Sequence, residues 1–348
     1  MSDNSTFSLF AWGANSHGQL GVGYENEMEM KPVRLDTSLV EGEIRQISGG
    51  GGHTLILDSS GQVYTCGWNN KGQLGVGDFE NRTIFAKIPA EFFQERKIIS
   101  VSSGWDTSAA ITEDQELYMW GSNQFGQFGM EDFRQTEIPR KIEKISCQEK
   151  IVQVTLGLRH VCILTESGTL HILGKFKRPY GERSIKIFGP ISKMTTGQHH
   201  LIYLRPNKSF ETVGDNKFHQ CSDESLNNFT EDVSELKSGW THSGLLTHSR
   251  KVFLWGRNSY GQLGREASDP IATPSQLNIH RNVREFHLGS EHGLCVTEDG
   301  KAFTWGWNEH GNCGNGDTEN IFEPQEVSLP GKCALAGVGA GFCYCVVK

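Results

Sequence analysis

Several features that would define a class of function are missing from this chain of 348 residues. No apolar run approaches the ~18 residues that a membrane helix needs, so we predict no membrane insertion. No cluster of lysine and arginine is visible, and 33 basic against 41 acidic residues give a net charge of −8. Because phosphate contacts dominate affinity for nucleic acids, we also predict no direct DNA binding. The first residues form no secretory signal, which favours a cytoplasmic protein and leaves nuclear access open.

The signatures of catalysis and of bound cofactors are also missing. The nine cysteines contain no Cys-x-x-Cys pair, so they predict neither a zinc site nor a disulfide framework. No Gly-x-x-x-x-Gly-Lys-Ser/Thr loop is present, and the glycine-rich run Gly337–Gly341 precedes an apolar stretch instead of opening a helix. No catalytic combination of His, Cys and Asp stands out. We therefore predict that the protein is not an enzyme and holds no metal or other cofactor.

Glycine is abundant, at 41 of 348 residues, and it marks an internal repeat. An aromatic or apolar residue followed by glycine recurs seven times, with the glycines at Gly13, Gly67, Gly121, Gly174, Gly214, Gly256 and Gly306. A second marker, Gly-x-x-His or a variant, begins at Gly50, Gly104, Gly157, Gly197, Gly239, Gly289 and Gly339. Both markers repeat every 40 to 54 residues. Two independent markers that each count seven indicate seven structural units.

Each unit has the pattern of a β-hairpin. In the first unit, His53–Leu57 is apolar, Asp58–Gly61 has turn chemistry, and Gln62–Cys66 leads to the next marker. The chain opens with one such stretch, Phe7–Trp12, and closes with another, Phe342–Val347. These observations predict an all-β fold, a single domain over residues 1–348 that forms a seven-bladed β-propeller. Pairing of the N- and C-terminal strands would close the ring and remove its sheet edges.

Five of the first markers extend into a longer motif, of which Trp255-Gly-Arg-Asn-Ser-Tyr-Gly-Gln-Leu-Gly264 is typical. This motif resembles the repeat of the regulator of chromosome condensation family, and the resemblance implies a seven-bladed propeller. The blades that contain Leu173 and Val213 lack the long motif, so we expect irregular connections over Lys175–Pro190 and Asp215–Asp232.

A narrower resemblance points to one branch of that family. Ser103–Thr107, Gly289–Gly293 and Trp305–Gly314 are similar to the branch of the animal secretion-regulating guanine nucleotide exchange factor and the fungal alpha-tubulin suppressor, the killer-toxin-insensitivity protein. This resemblance implies a partner, the small CSL-type zinc-binding protein of diphthamide synthesis. It also implies a link to Elongator-dependent modification of wobble uridine in tRNA, and to the exocyst and secretion.

Candidate binding residues are those that break the regularity of the repeat. Trp105 and Trp240 follow the marker glycine in two turns only, so they are candidate binding anchors as well as candidates for packing on a neighbouring loop. Asp106 either faces a partner or caps its turn. The five marker histidines recur once per blade around the ring, which predicts structural hydrogen bonds rather than a converging metal site. These histidines are His53, His160, His200, His242 and His292.

The last long motif departs from the others and completes the candidate set. It contributes Trp307, Glu309, His310 and Asn312, and Glu291 lies in the preceding turn. Departure from a repeat is where function tends to be placed on a scaffold, although a structural variant remains the alternative.

We formulate two hypotheses of different class. The first is a non-catalytic adaptor that binds the zinc protein through these aromatic anchors, within an acidic or neutral rim. The second is a guanine nucleotide exchange factor for a small GTPase, which requires a wedge that disturbs the phosphate and magnesium site. A role as an exocyst-linked scaffold also stays open.

Overall fold

The computed structural model describes residues 7–130, 132–143, 149–176, 184–221 and 223–348. Its strands form seven antiparallel sheets arranged in a ring. We number the blades in chain order, and the last blade combines both ends of the chain. Blades 1 to 3 consist of β3 (Ile44–Gly49), β4 (His53–Asp58), β5 (Val63–Gly67) and β6 (Arg82–Lys87), then β7 (Ile98–Ser103), β8 (Thr107–Thr112), β9 (Leu117–Ser122) and β10 (Gln135–Lys141), then β11 (Ile151–Leu156), β12 (His160–Thr165), β13 (Leu170–Gly174) and β14 (Ser184–Ile187).

The second half of the ring follows the same order of strands. Blade 4 has three strands among the described residues, and blades 5 and 6 have four each. They consist of β15 (Lys193–Thr196), β16 (His200–Leu204) and β17 (Phe210–Gly214), then β18 (Val233–Ser238), β19 (His242–Thr247), β20 (Val252–Asn258) and β21 (Ser268–Gln276), then β22 (Val283–Leu288), β23 (His292–Thr297), β24 (Ala302–Gly306) and β25 (Ile321–Glu326).

The two ends of the chain close the ring in blade 7. This blade consists of β26 (Cys333–Val338), β27 (Phe342–Val347), β1 (Ser8–Ala14) and β2 (Met28–Arg34). Strand β1 pairs with β27 in an unbroken register from Ser8 opposite Val347 to Gly13 opposite Phe342. The predicted all-β, seven-bladed propeller closed by its terminal strands is therefore confirmed.

The long motif is the joint between neighbouring blades. The indole of each motif tryptophan is fully buried and donates a hydrogen bond to a backbone carbonyl in the preceding blade's motif loop. Trp120 Nε1 donates to the carbonyl of Gln73 over 2.9 Å, and Trp305 Nε1 donates to the carbonyl of Gln262 over 3.0 Å. Gly75 lies against Trp120, where a Cβ would come within 2.6 Å of the indole nitrogen. The motif thus holds each loop against the next blade.

The motif asparagine builds the loop that receives this indole. In blade 1, the Oδ1 of Asn69 accepts a hydrogen bond from the backbone of Leu74 over 2.9 Å, while its Nδ2 donates to Asp78. The same Oδ1 contact recurs from Asn308 to the backbone of Cys313 at 2.8 Å. A buried amide in each loop fixes the loop conformation because its donors and acceptors are satisfied locally.

The connections expected to be irregular contain regular structure. Ser184–Ile187 forms the outer strand of blade 3 and pairs with β13. A short helix, α1 (Asp223–Asn227), lies in the second connection. That expectation was therefore wrong for these segments, because an outer strand needs only four residues and an edge to pair with. The remainder of the first connection, residues 177–183, and residue 222 lie outside the described residues.

Candidate protein-binding face

Both repeat markers lie at the same end of the propeller in every blade. The Gly-x-x-His turn leads into a strand whose first residue pairs with the glycine that ends the next strand, as His53 pairs with Gly67. Backbone hydrogen bonds join the turn to the start of the long-motif loop, for example from Trp307 N to the carbonyl of Glu291 over 2.9 Å. We call this end the motif face, and the opposite end, which carries turns such as Asp58–Gly61, the hairpin face.

The seven marker turns surround the axis of the motif face. Backbone amides in six of them donate to a carbonyl in the turn of the next blade, as in Ala340 to Gly50, Ser290 to Ala340, and Trp240 to Ser290. Because each turn is held by its neighbour, the centre of the face is a rigid rosette of backbone. Side chains that project from it are therefore displayed in fixed positions.

Trp105 and Trp240 meet across this rosette. They belong to blades 2 and 5, yet their ring centroids are 5.4 Å apart, with an interplanar angle of 52°. Both indoles remain partly exposed, and both line the mouth of the central channel. The sequence presented them as two separate anchors, whereas the structure joins them into one apolar pair at the centre of the motif face.

The last long motif lies on the same face as this pair. Trp307 is partly exposed and its ring contacts His310 edge to face, with centroids 5.2 Å apart. Glu309, which lies between these two residues in the sequence, is exposed. Asn312 is fully buried and donates from Nδ2 to the carbonyl of Trp307 over 3.1 Å. We therefore assign Asn312 to the support of Trp307 rather than to the contact surface.

Glu291 is buried beside the turn that carries Trp240 and the loop that carries Trp307. It is only 7% exposed, and its carboxylate accepts hydrogen bonds from Thr241 at 2.7 and 2.9 Å and from Gln262 at 2.6 Å. Arg257 Nη1 lies 3.7 Å away. Burial raises the pKa of Glu291, which its hydrogen bonds and Arg257 oppose. Trp240 N donates a hydrogen bond to the carbonyl of Ser290, and Trp307 N donates to the carbonyl of Glu291. The contacts of the Glu291 carboxylate therefore stabilise the backbone beneath both tryptophans.

Asp106 is partly exposed beside Trp105. Burial raises the pKa of this carboxyl, and Ser122, Lys71 and Thr107 lower it. Its backbone carbonyl accepts a hydrogen bond from Ser122 N over 2.8 Å. The residue thus ties the turn of blade 2 to the long-motif loop of the same blade.

The marker histidines are spread around the ring and do not converge. The imidazole of His53 lies directly under Gly50, where a Cβ would be 2.3 Å from Cε1, and its Nε2 contacts Ser108 Oγ of the next blade at 2.9 Å. His200 repeats this contact with Ser243 at 2.9 Å. Burial lowers the pKa of His53, His160, His200 and His242 to about 3, and that of His292 to about 4. These histidines are neutral structural groups.

His242 lacks the serine partner that His53 and His200 have, and the reason is packing. The position of blade 6 that corresponds to Ser108 and Ser243 is occupied by Gly293, which has no hydroxyl. A Cβ at Gly293 would lie 2.3 Å from the ring of Trp305, so this position has no room for a serine. His242 Nδ1 instead lies 3.8 Å from the Glu291 carboxylate.

Sequence reasoning missed the cationic side of the motif face. Arg159 lies over the ring of Phe125, with 4.7 Å from Cζ to the centroid, and Arg257 lies over Phe218 and Tyr260 at 5.0 and 4.8 Å. The expected acidic or neutral rim is therefore wrong for blades 3 to 5. The sequence did offer a signal, which is the position of these arginines in the repeat. Arg159 is the residue before a marker histidine, and Arg257 is the second residue after a marker tryptophan.

Within the described part of the chain, no group of three or more His, Cys, Asp or Glu side chains is placed to hold a metal ion. None of the helices described is long and apolar enough to cross a membrane. The eight cysteines that fall in the described ranges are all buried.

Comparison with known proteins agrees with this architecture. Residues 8–347 match the RCC1-like domain family. The chain belongs to the RCC1-like family. The secretion-regulating guanine nucleotide exchange factor of Bos taurus is 33% identical over 289 residues, which covers 74% of this chain and 61% of that protein. The resemblance to this family and to its secretion-regulating branch is thereby confirmed.

Other similar proteins show how widely RCC1-like propellers are used. The ultraviolet-B receptor UVR8 of Arabidopsis thaliana is 30% identical and covers 75% of this chain and 63% of that protein. The chain thus spans less than two thirds of the length of these curated relatives. Yeast RCC1 (Prp20), solved bound to Kap60, superposes with a TM-score of 0.86 at 21% identity and covers 98% of this chain and 89% of its own. Human WBSCR16 gives 0.83 at 20% identity, over 99% of both chains. At such identities the solved structures support the fold alone.

Proposed function

We propose that this RCC1-like propeller is a non-catalytic adaptor whose motif face binds the small CSL-type zinc protein of diphthamide synthesis. Through that partner it would support diphthamide formation and Elongator-dependent modification of wobble uridine. The observation that carries the proposal is the presence of two aromatic pairs, Trp105–Trp240 and Trp307–His310, on one face.

The geometry suits a protein partner for two physical reasons. Partly exposed tryptophans near the centre of a face are the typical anchors of a protein interface. The backbone rosette beneath them is already ordered, so little conformational entropy is lost when a partner docks. Glu309 and His310 would form the polar edge of the contact, and Asp106 would flank its centre.

The test is a calorimetric titration of the propeller with the metal-loaded zinc protein. We expect one-to-one binding that weakens about tenfold or more, about 1.4 kcal/mol, in the Trp307→Ala/His310→Ala double variant. A matched control changes two exposed residues of the hairpin face, Arg281→Ala and His248→Ala. Absence of binding at tens of micromolar would overturn the partner, and binding that the aromatic variant leaves unchanged would overturn the site.

A second candidate is guanine nucleotide exchange on a small GTPase. It is favoured by similarity to the secretion-regulating guanine nucleotide exchange factors of Bos taurus and Mus musculus, each 33% identical to this chain. Release of a fluorescent guanine nucleotide from a panel of small GTPases would test it. Acceleration that depends on the propeller concentration and is lost in a motif-face variant would support exchange, and unchanged release across the panel would reject it.

A further inference from the structure

The motif face carries a second surface, on blades 3 to 5, besides the one around Trp307 on blade 6. Four cations lie on blades 3 to 5, and we call them the basic arc: Arg159, Lys175, Lys217 and Arg257. Arg159, Lys175 and Lys217 are exposed, and Arg257 is partly exposed. Within blade 3 the backbone joins the first two, from Lys175 N to the carbonyl of Arg159 over 2.8 Å.

Aromatic rings hold the cations of the arc in place. Arg159 of blade 3 stacks on Phe125 of blade 2, and Arg257 of blade 5 stacks on Phe218 of blade 4. Lys217 Nζ lies 5.0 Å from the centroid of Phe218. A guanidinium that stacks by its face keeps its in-plane N–H donors available for a carboxylate. Arg159 is therefore oriented for binding without an ion pair among the described residues, whereas Arg257 also donates from Nε to Ser259 Oγ over 2.7 Å and lies 3.7 Å from Glu291.

Several cations of the hairpin face are paired instead, although the exposed Lys97, Lys251 and Lys332 of that face form no ion pair among the described residues. There Arg96 pairs with Asp114 at 2.7 Å, Arg281 with Asp299 at 2.5 Å, and Lys348 with Glu43 at 2.6 Å. Among the described residues, Arg159, Lys175 and Lys217 form no ion pair. Arg257 has a 3.7 Å contact with Glu291, whose carboxylate is already bound by Thr241 and Gln262. A protein of net charge −8 thus leaves three cations of one face without a described counter-ion.

We propose that the basic arc binds an acidic segment of a partner protein, a run of Asp and Glu side chains in which carboxylates bond to the stacked guanidinium groups. A nucleic acid fits less well. A long phosphate backbone would extend beyond the arc, past the exposed Glu309 of the same face and along a protein of net charge −8, whereas a short acidic segment can remain on the four cations. The inference concerns the chemistry of the ligand and does not rest on the identity of the partner proposed above.

The test uses the full chain and a fluorescein-labelled peptide rich in Asp and Glu, of about twelve residues, which spans about 40 Å when extended. A peptide of the same length with Asn and Gln in place of Asp and Glu is the ligand control. The Arg159→Ala/Lys217→Ala variant is compared with Arg281→Ala/Lys208→Ala, which removes one arginine and one lysine from the hairpin face. Melting curves of both variants check that the fold is retained.

We expect the acidic peptide to bind, to lose affinity between about 50 and 200 mM salt, and to bind roughly tenfold more weakly to the arc variant than to its control. Equal affinity in both variants, or no preference over the neutral peptide, would overturn the proposal. A twelve-nucleotide single strand that binds more tightly than the peptide, and through the arc, would overturn it in favour of nucleic acid.

The same variants separate this inference from the proposed adaptor function. If the acidic peptide binds the arc while the zinc protein does not bind the propeller, the inference stands and the proposed partner fails. If the zinc protein binds through Trp307 and His310 while the acidic peptide does not bind, the adaptor stands and the inference fails.

Discussion

The two faces of this propeller are built from the same seven repeats, yet they differ in what their side chains do. On the hairpin face, exposed charges pair with each other across tight turns, as Arg281 does with Asp299. On the motif face, tryptophans stay partly exposed and arginines stack on rings. Both faces are loops at the ends of strands, so the fold does not impose the difference. The comparison teaches that partly exposed tryptophans, and arginines that stack on aromatic rings, distinguish the motif face from the hairpin face.

Part of the difference comes from the long motif in the five blades that carry it. Its asparagine and its indole-binding carbonyl satisfy the loop backbone from inside, as Asn69 and Gln73 do in blade 1. Because the backbone needs no help from exposed residues, side chains at the outer positions are free to vary between blades. The hairpin turns are shorter and leave fewer such positions.

The largest expected effect comes from removing an indole that anchors the motif face. Trp255 is fully buried and its Nε1 donates to the carbonyl of Gln220 over 2.9 Å. Trp255→Ala should lower the free energy of unfolding by about 3–5 kcal/mol. Trp240→Ala, on the surface of the same blade, should cost much less stability while weakening partner binding. Urea unfolding of both variants measures these losses of stability. Equal losses would contradict the distinction between Trp255, which anchors the loop, and Trp240, which is exposed for binding.

A pair of glycines compares the faces directly. Gly306 supports the motif face with φ +99°, and a Cβ there would lie 2.6 Å from the carbonyl oxygen of Glu291. Gly300 is in a hairpin turn with φ +84°, where a Cβ would meet the side chain of Lys332 at 2.8 Å. Both substitutions to alanine should carry about 1–2 kcal/mol of backbone strain. Gly306→Ala should cost a further 1–3 kcal/mol, roughly, because backbone must move. Denaturation midpoints with equal shifts would refute the difference.

The buried histidines predict a dependence of stability on pH. Burial lowers the pKa of His200 to about 3, below the ordinary value of 6.5. The unfolded chain then binds a proton that the folded chain does not, so stability present above pH 6.5 is lost as the pH falls towards 3. In that window one such histidine contributes a slope of about 1.4 kcal/mol per pH unit.

The measurement is urea unfolding at pH 7, 6 and 5 of wild type and His200→Gln. The variant should lose stability more slowly as the pH falls, whatever its stability at pH 7. His248→Gln, at an exposed position on the hairpin face, should keep the wild-type slope. Identical slopes for all three proteins would show that His200 titrates normally in the folded state.

The smallest effect is expected from the hairpin face itself. Arg281 and Asp299 form an ion pair in which both side chains are more than 40% exposed. Because surface ion pairs are screened by water and salt, Arg281→Ala should leave the melting temperature unchanged within the error of calorimetry. A clear loss of stability would mean that the hairpin face depends on its charges more than its geometry indicates.

Much of the fold was predictable from periodicity. Two markers counted seven blades, and the apolar stretches at both ends predicted the closing pair of β1 and β27. The outer strand Ser184–Ile187 was not predicted, because its alternation of polar and apolar residues covers only four positions, too few to distinguish a strand from a loop. Short edge strands are defined by the neighbour with which they pair rather than by their own sequence.

The candidate site was predictable only in part. Departure from the repeat singled out Trp105, Trp240 and Trp307, but it could not show that the first two touch. The stacking of Arg159 on Phe125 joins residues from two blades, so neither position looks unusual within its own repeat. Comparison of a repeat with its copies finds unusual residues, whereas contacts between copies depend on the closed ring.

By itself, the sequence determined the number of blades and the turn chemistry, because the two short markers recur seven times. It also determined the asparagine and tryptophan of the long motif, because that motif recurs five times with the same local spacing, once with cysteine in place of tryptophan. Only the tertiary structure decided that both markers share one face, that Glu291 and Asn312 lie beneath it, and that tryptophans three blades apart form one pair. Those facts require the ring to close, since closure alone brings distant repeats to a common axis and fixes which side chains remain exposed around it.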